Sequence, residues 1–287
     1  IKSRNMDEMN SIGMSAPRIY PVADSLLDSS LIAQTNKKIY NIKLIKCGND
    51  YIQIYKYEDN KIKKDNNWEN GTIKSKKVKT SNNRNKCKEI RKDNILRSKL
   101  ALQRLIKSNI EEFKTFITLT FKDNITDIEE ANKLFNIWRT RVKKEHSDFK
   151  YVCVPEYQKR GAVHFHLLTN LDLDTDIIYK QVGKNNMYDI KYWKHGFSSA
   201  FRIDNNDINI INYISKYLTK DIDNRLYGHK KYFYSKNLKM PTIEFLNENN
   251  IKDYEYINKN LEDKNLTFIS EFLNKYTNKK VIFLEYT

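Results

Sequence analysis

The stretch YVCVPEYQKRGAVHFHLLT, residues 151–169, constrains the fold of this chain more than any other part. Its two halves are rich in β-branched and aromatic residues and flank a short basic turn, a pattern that predicts an antiparallel pair of strands. Because side chains alternate between the faces of a strand, the pairing also decides which residues share a surface. Similar runs predict further strands at residues 115–121 (TFITLTF) and 197–203 (FSSAFRI).

Periodic apolar residues predict three helices around these strands. The clearest one opens with a capping box formed by Thr126 and Glu129. Its apolar stripe consists of Ala131, Leu134, Phe135, Trp138 and Val142. A second helix is predicted from about Asn94 to Ile110, with an inner face of Ile95, Leu102, Leu105 and Ile106. The third lies within DINIINYISKYLTKDI, residues 207–222.

The two ends of the chain carry further signals. Residues 37–62 contain two β-rich runs on either side of Gly48, which predicts a hairpin. Residues 74–92 hold nine basic residues against one acid, and are either a flexible linker or a nucleic-acid-binding arm. Near the C-terminus we expect a helix carrying Phe268 and Phe272, followed by a strand at VIFLEY.

The charge balance favours a polyanionic partner. The chain has 52 Lys and Arg residues against 36 Asp and Glu, a net charge of +16. A solvated lysine-rich surface is the alternative. A membrane is not an expected partner, because there is no lipidation signal, no basic amphipathic helix and no apolar run of about 18 residues. Three scattered cysteines without a CxxC pair argue against a disulfide framework and fit a reducing cytoplasm.

Two of the five histidines, His164 and His166, lie on one face of the second predicted strand. If the turn is symmetric about Arg160, Glu156 lies directly across from His164 on the same face. Two imidazoles and a carboxylate then converge, a ligand set that suits Mn²⁺ or Mg²⁺ and whose ligand types also allow Zn²⁺. The alternative is a pair of structural histidines with ordinary hydrogen bonds.

The segment NYISKYLTKD, residues 212–221, predicts a helix with two different faces. Tyr213 and Tyr217 lie four residues apart on one face, with Lys216 and Lys220 beside them. The packing face consists of Ile211, Ile214 and Leu218. A tyrosine oxygen can attack a phosphodiester to form a covalent phosphotyrosine, and a nearby cation helps the phenol to ionise. Alternatively, the tyrosines and lysines only extend their polar ends into water.

Three motifs together resemble the HUH endonucleases, specifically the rolling-circle replication initiators (Rep proteins) of small phages and plasmids. FITLTF is similar to the first motif, EYQKRGAVHFHLL to the second, and YISKYLTK to the third in its two-tyrosine form. The resemblance covers roughly residues 95–241. It implies an α+β fold, with a central antiparallel β-sheet flanked by helices (an RRM/ferredoxin-like palm) and the histidines on a central strand.

The resemblance also implies an activity: nicking of one DNA strand at a replication origin, with a 5′-phosphotyrosine and a free 3′-OH as products. It assigns Tyr217 as the principal nucleophile and Tyr213 as the second. Lys220 and Lys216 are expected to contact the scissile phosphate or to assist the phenols. His164, His166 and Glu156 are expected to be ligands of Mn²⁺ or Mg²⁺. The expected partner is single-stranded origin DNA. Because the sequence has no GxxxxGK[ST] loop, a host helicase and a host DNA polymerase are expected to act alongside it.

Basic residues near aromatic ones are further candidate DNA contacts. They are Lys159 and Arg160 in the predicted turn, and Lys230, Lys231 and Tyr232 in HKKYFYSKNLK. Chance mixing is the alternative for the second group, since 12% of the chain is aromatic. A transposase with an HUH motif and two tyrosines would share the catalytic motifs. A non-catalytic nucleic-acid-binding protein would share the charge and the aromatic residues.

These predictions divide the chain into four segments. They are an irregular N-terminal segment at 1–37, a hairpin with a basic linker at 38–93, an HUH endonuclease catalytic domain at 94–241, and a C-terminal extension at 242–287. The roles of the first two segments and of the extension stay open, because only the third carries the motifs.

Overall fold

A computed structural model describes residues 37–64, 92–173, 178–182, 187–203, 208–217, 224–226 and 228–287. The predicted irregular segment and most of the basic stretch 74–92 lie outside these residues. The chain divides into two compact units, residues 1–83 with 241–287 and residues 84–240. Each unit contains its own antiparallel sheet.

The secondary structure combines antiparallel strands with helices. The strands are β1 (Lys37–Cys47), β2 (Tyr51–Lys64), β3 (Thr115–Thr120), β4 (Tyr151–Tyr157), β5 (Val163–Thr169), β6 (Ile178–Val182), β7 (Met187–Ile190), β8 (Ser198–Arg202), β9 (Phe233–Tyr234), β10 (Thr242–Leu246), β11 (Leu266–Leu273) and β12 (Lys280–Tyr286). The α-helices of the described residues are α1 (Lys92–Lys107), α2 (Ile128–Glu145), α3 (Ile208–Lys216) and α4 (Ile251–Leu261). Short 3₁₀ turns span Ile110–Glu112 and Asn224–Leu226. The predicted α+β class is confirmed.

The unit made from both chain ends is a five-stranded sheet in the order β10-β1-β2-β12-β11, with α4 packed on one face. The predicted hairpin is confirmed, since β1 and β2 pair around a turn containing Gly48 at φ 68°. The predicted helix through Phe268 and Phe272 is wrong, because both residues lie on β11. Pairing with β12 outweighs a local spacing that also suits a helix.

The unit of residues 84–240 contains a seven-stranded antiparallel sheet in the order β6-β7-β8-β3-β5-β4-β9. Strand β5 is an interior strand between β3 and β4, so the predicted strand pair is confirmed. Its turn contains Gly161 at φ 93°, a backbone conformation that glycine adopts without steric cost.

Helix α2 packs on one face of this sheet and builds the larger core. Its predicted stripe is confirmed: Ala131, Phe135, Trp138 and Val142 are buried and Leu134 is partly buried against them. They pack with Phe165 and Leu167 of β5, each contributing about 1.5–3 kcal/mol by burial. The predicted cap is wrong by one residue, because the side chain of Asp127 accepts from Glu129 N–H at 2.7 Å.

Helices α1 and α3 contact each other, and Gln103 Nε2 donates to Ser215 Oγ at 3.2 Å. The predicted inner face of α1 is confirmed, since Ile95, Leu102, Leu105 and Ile106 are all buried. Helix α3 ends at Lys216, and the rest of the predicted helix, residues 218–222, lies outside the described residues. None of the helices in the described ranges has the length and apolar character needed to cross a bilayer.

Candidate functional site

Strand β5 presents His164 and His166 on the face opposite the α2 core, while Phe165 between them is fully buried in that core. In the β4–β5 ladder Glu156 pairs with His164, so the register predicted from a symmetric turn is confirmed. On the other side of β5, strand β3 places Thr118 opposite His166. Strand geometry alone therefore brings a carboxylate from β4 and a hydroxyl from β3 to the two imidazoles.

His166 is held at both ring nitrogens. Its Nε2 lies 2.8 Å from Glu156 Oε2, and its Nδ1 lies 3.3 Å from Thr118 Oγ1. Because a carboxylate only accepts, a neutral ring donates from Nε2 and accepts the Thr118 hydroxyl at Nδ1. The residue is 5% exposed, so the orientation of its ring is fixed. Thr118 is absent from the predicted site residues, although alternation along FITLTF places it on the histidine face.

His164, in contrast to His166, has a ring nitrogen that makes no hydrogen bond to any described residue. This nitrogen, Nε2, is buried. Burial, followed by the nearby His166, lowers the pKa of His164 to about 4, although Glu156 acts in the opposite direction. Leaving a buried polar nitrogen without a partner costs about 1–3 kcal/mol. This atom therefore points to a ligand that satisfies it.

The donor set fits a divalent cation by type. Neutral imidazole nitrogen is the form that binds metal ions, and the His164 and His166 ring centres lie 6.2 Å apart on one face. Across the described ranges, no three His, Cys, Asp or Glu side chains form a finished metal-binding group. At His166 the Nε2 and the Glu156 carboxylate bind each other, so a cation would have to replace that bond. By ligand type, imidazole nitrogen suits Zn²⁺ and other transition-metal ions, whereas carboxylate oxygen suits Mg²⁺ or Mn²⁺, so these three side chains do not select one metal.

Tyr217 lies directly over this histidine face. Its ring is stacked on the ring of His166, with 3.7 Å between the centroids and 10° between the planes. Tyr213 stands perpendicular to it, with 5.4 Å between the two phenol centroids. Both tyrosines were predicted on one helix, but only Tyr213 lies in α3. Tyr217 follows the last helical residue, and its N–H donates to Ile214 O at 3.2 Å, a tightened final turn.

The Tyr217 phenol is protonated at rest. Burial raises the pKa of Tyr217 far above its ordinary value, and the hydrogen bond with Tyr213 and the charge of Glu156 raise it further. Lys216 Nζ lies 4.9 Å from the ring centre of Tyr213 and 5.8 Å from that of Tyr217. An attack by Tyr217 therefore needs added positive charge near its oxygen. Lys220, the other predicted lysine, lies outside the described residues.

Two phenylalanines continue the row of stacked rings from His166 across the sheet. Phe116 of β3 lies 6.0 Å from the His166 ring at 27°, and Phe201 of β8 lies 5.0 Å from Phe116 at 28°. Phe116 also meets Tyr213 edge-on at 5.3 Å. Neither phenylalanine was predicted as a site residue. The rings of Phe201, Phe116 and His166 lie side by side on one face of the sheet, across β8, β3 and β5. The His166 ring therefore has two aromatic neighbours, Phe116 and Tyr217.

Basic side chains surround the β4–β5 turn next to His164. Lys159 is exposed, as expected for a DNA contact. Arg160 is exposed as well, and its Nη2 donates to Phe121 O at 2.6 Å, which links the turn to the end of β3. Arg225, which the sequence did not single out, lies over the Tyr157 ring, with 3.8 Å from Cζ to the ring centre.

The second predicted group of DNA contacts lies beside β9, the edge strand next to β4. Lys230 is exposed, while Lys231 Nζ donates to Leu226 O at 2.6 Å. Tyr232 stacks with Tyr234 at 6.1 Å between centroids, and burial raises the pKa of Tyr232. This group is therefore on the sheet edge, whereas the histidines are on the interior strand β5.

Comparisons with known proteins bear on the same region. Residues 114–222 match a family model described as replication-associated protein ORF2. The chain is 31% identical over 127 residues to the Phasyl DNA replicon protein arp of Escherichia coli, which covers 38% of this chain and 44% of that protein. The chain thus spans less than half the length of this relative. No solved structure matches the chain. The matches confirm the predicted resemblance to a rolling-circle Rep-type protein over the segment from β3 to Tyr217.

Proposed function

We propose that this chain is a rolling-circle replication initiator that cuts one DNA strand with Tyr217 and stays joined to the new 5′ end. The observation that carries the proposal is the stacking of Tyr217 on His166, with 3.7 Å between centroids. It lies beside the Nε2 of His164, which has no hydrogen-bond partner in the part of the chain that the structure describes. A phenol is thereby held next to nitrogen atoms able to bind a cation. All of these residues lie in the segment that matches the replication-associated family model.

His164 Nε2, His166 Nε2 and Glu156 would hold one Mn²⁺ or Mg²⁺. When bound, the ion would draw charge from a non-bridging phosphate oxygen and so favour attack at phosphorus. Thr118 would keep the His166 ring oriented through Nδ1, the role that outer hydrogen bonds serve for metal-binding histidines. The lowered pKa of His164 keeps its imidazole neutral, as ligation requires.

In the proposed step, Tyr217 oxygen bonds to phosphorus and the bond from phosphorus to the 3′ oxygen breaks. The phenol releases its proton to solvent, and the departing 3′ oxygen takes up a proton to become a free 3′-OH. Because burial raises the pKa of the phenol, the ammonium of Lys216 is needed near the rings to favour the phenolate. The phosphotyrosine conserves the energy of the broken bond, so the strand can be rejoined without ATP.

Tyr213 supplies a second hydroxyl for strand transfer. It is 39% exposed, more accessible than Tyr217, and the two rings are 5.4 Å apart. Once Tyr217 carries a DNA 5′ end, Tyr213 can cut the strand again without releasing the first product. This arrangement would let one protein molecule both start and finish a round of copying.

The proposed partner is single-stranded DNA at a replication origin. Lys159 and Arg225 at the β4–β5 turn provide positive charge next to the histidines, where the backbone would approach. A host helicase would open the duplex, and a host DNA polymerase would extend the free 3′-OH. Cys47 and Cys153 are buried thiols, which suits a reducing cytoplasm.

The test incubates the protein with Mn²⁺ and labelled single-stranded DNA from the replicon, then measures a DNA adduct that survives denaturation. We expect Tyr217→Phe to abolish the adduct, because no oxygen remains at the attacking position. Tyr213→Phe should leave the first cut largely intact and impair the second. EDTA present from the start should prevent the unchanged protein from forming the adduct, and excess Mn²⁺ should restore its formation.

Tyr276→Phe is the matched control, since Tyr276 is 79% exposed and lies on the five-stranded unit. It should form the adduct at the unchanged rate. The proposal fails if the Tyr217→Phe, Tyr213→Phe double variant still forms as much adduct as the unchanged protein.

A further inference from the structure

A cavity of about 460 Å³ opens beside Tyr213, over strand β8 rather than over the histidine strand. It is lined by Phe201, Asn209, Ile210, Asn212, Tyr213 and Lys216. Its volume is in the range of small-molecule sites, about 300–1,000 Å³. We refer to it as the β8 cavity. The proposed reaction uses Tyr213 and Lys216 of this set and leaves the other four residues without a role.

The floor of the β8 cavity is suited to a flat ring. Phe201 is the last member of the ring stack that runs through Phe116 and His166 to Tyr217. Ile210, 5% exposed, adds an aliphatic surface. A planar ligand lying on Phe201 would continue a stack whose rings are already nearly parallel.

The rim of the β8 cavity adds hydrogen-bonding groups and a positive charge. Asn209 and Asn212 are exposed on α3, and each carboxamide has both a donor and an acceptor group. Asn212 Oδ1 accepts from Gln103 Nε2 at 3.3 Å, which holds that side chain in place. Lys216 supplies an ammonium 4.9 Å from the Tyr213 ring centre, and no acidic residue is among the described residues that line the cavity.

We propose that the β8 cavity binds one nucleobase of the single strand, within one or two nucleotides of the phosphate that Tyr217 attacks. The base stacks on Phe201, the carboxamides of α3 contact its edge, and Lys216 contacts the adjoining phosphate. Flat shape, a hydrogen-bonding edge and an attached anion are together the chemistry of a nucleotide. This inference rests on the proposed function, and it assigns to Phe201 and Asn212 the choice of the base next to the cut.

The consequence is a base preference on one side of the nick. Tyr213 stands between the β8 cavity and Tyr217, with its ring 5.4 Å from the Tyr217 ring. A strand that presents its phosphate to Tyr217 therefore passes Tyr213 before its next base reaches Phe201. Anchoring that base outside the reaction centre would hold the phosphodiester in line for attack.

The experiment measures binding by the full chain in EDTA, so that cleavage plays no part. Single strands are first selected by binding from a random-sequence pool, and each nucleotide of a selected strand is then replaced in turn by an abasic one. We expect one abasic position to weaken binding to the unchanged protein about 5- to 30-fold, the effect of one lost base stack. The Phe201→Leu variant keeps apolar volume but lacks the ring. For this variant, the abasic nucleotide at the same position should change the affinity less than about 2-fold.

Ile137→Ala is the control, since Ile137 is 45% exposed on α2 and that helix packs on the other face of the sheet. The abasic nucleotide should weaken binding to this variant as much as it weakens binding to the unchanged protein. Asn212→Ala is a second variant on an exposed position, which tests the proposal if Phe201→Leu unfolds. It should weaken the preference among the four bases at the same position and at no other.

The proposal is overturned if Phe201→Leu remains as sensitive as the unchanged protein at every abasic position, or if Asn212→Ala keeps the full base preference. A failure of the proposed function gives a different result from a failure of this inference. In that case no covalent adduct forms with Mn²⁺ on any selected strand, while the coupling between Phe201 and the abasic position is still present.

Discussion

Replacing Gly196 with alanine should strongly destabilise the seven-stranded unit. Gly196 precedes β8 with φ 153°, and a Cβ built there would lie 2.3 Å from both Lys122 N and Thr120 O. It would also lie 2.8 Å from the carbonyl carbon of Phe121. All three are backbone atoms, so no side-chain rotation can relieve the overlap.

The expected cost follows from what holds those atoms. Lys122 N–H donates to His195 O at 2.9 Å, and Thr120 O accepts from Trp193 Nε1 at 3.0 Å. Moving the backbone away would weaken both hydrogen bonds, at about 1 kcal/mol each. Overpacking adds about 1–3 kcal/mol. The positive φ adds about 1–2 kcal/mol once the residue carries a Cβ. We therefore expect the free energy of unfolding to fall by about 5 kcal/mol, a large part of the roughly 5–15 kcal/mol typical of a domain.

Equilibrium unfolding in urea, followed by circular dichroism, measures this loss. Gly228→Ala is the matched control, because Gly228 also has a positive φ, 80°, but a Cβ there meets no atom of the described residues within 4 Å. That variant should lose only about 1–2 kcal/mol from the backbone conformation. If the two variants lose equal stability, the close approach at Gly196 is not what excludes a side chain, and the reasoning is refuted.

Three further predictions concern the site and its support. Thr118→Val removes the hydroxyl bound to His166 Nδ1 and should slow adduct formation roughly 10-fold or more, with rescue by Thr118→Ser in a rate measurement. His164→Ala should raise the Mn²⁺ concentration for half-maximal adduct formation at least about 10-fold, measured by titration, and an unchanged requirement would exclude His164 as a ligand. The hydrogen bond from Lys150 lowers the pKa of Glu112 below 4.5, so this pair stabilises the fold above that pH and loses its effect as the pH falls and Glu112 becomes protonated. Glu112→Gln should accordingly cost about 0.5–1 kcal/mol at pH 7 and nothing in acid, measured by urea unfolding at both pH values.

Alternation along the strands made much of the site predictable. Side chains alternate along a strand, so His164 and His166 were predicted on one face and Phe165 on the other. The pairing of Glu156 with His164 depended on the assumption of a turn symmetric about Arg160, which the structure confirms. The buried face of α2 follows in the same way from a helical period. These features depend on residues that are close in sequence, where backbone geometry leaves few choices.

Errors arose where a local pattern allowed two structures. Phe268 and Phe272 are four residues apart, a spacing that places two side chains on the same face of either a helix or a strand. Hydrogen bonding to β12 stabilises the strand. Tyr217 continues the helical spacing of Tyr213, but the helix ends one residue before it. The residue at which a helix ends depends on the chain that follows and on its contacts, so the spacing of residues along the helix predicts that end poorly.

Taken by itself, the sequence determined the motifs, the strand faces and the residue types able to bind a cation or attack a phosphate. Only the tertiary structure decided that His166 is bound at both nitrogens, that His164 Nε2 is buried without a partner among the described residues, and that Tyr217 stacks on His166. It also placed Phe201 at the end of the same row of rings. The physical reason is the distance in sequence between the residues that interact. The face on which a side chain lies in a strand or helix depends on residues a few positions apart. The approach of α3 to β5 depends instead on packing between segments that are far apart in the chain.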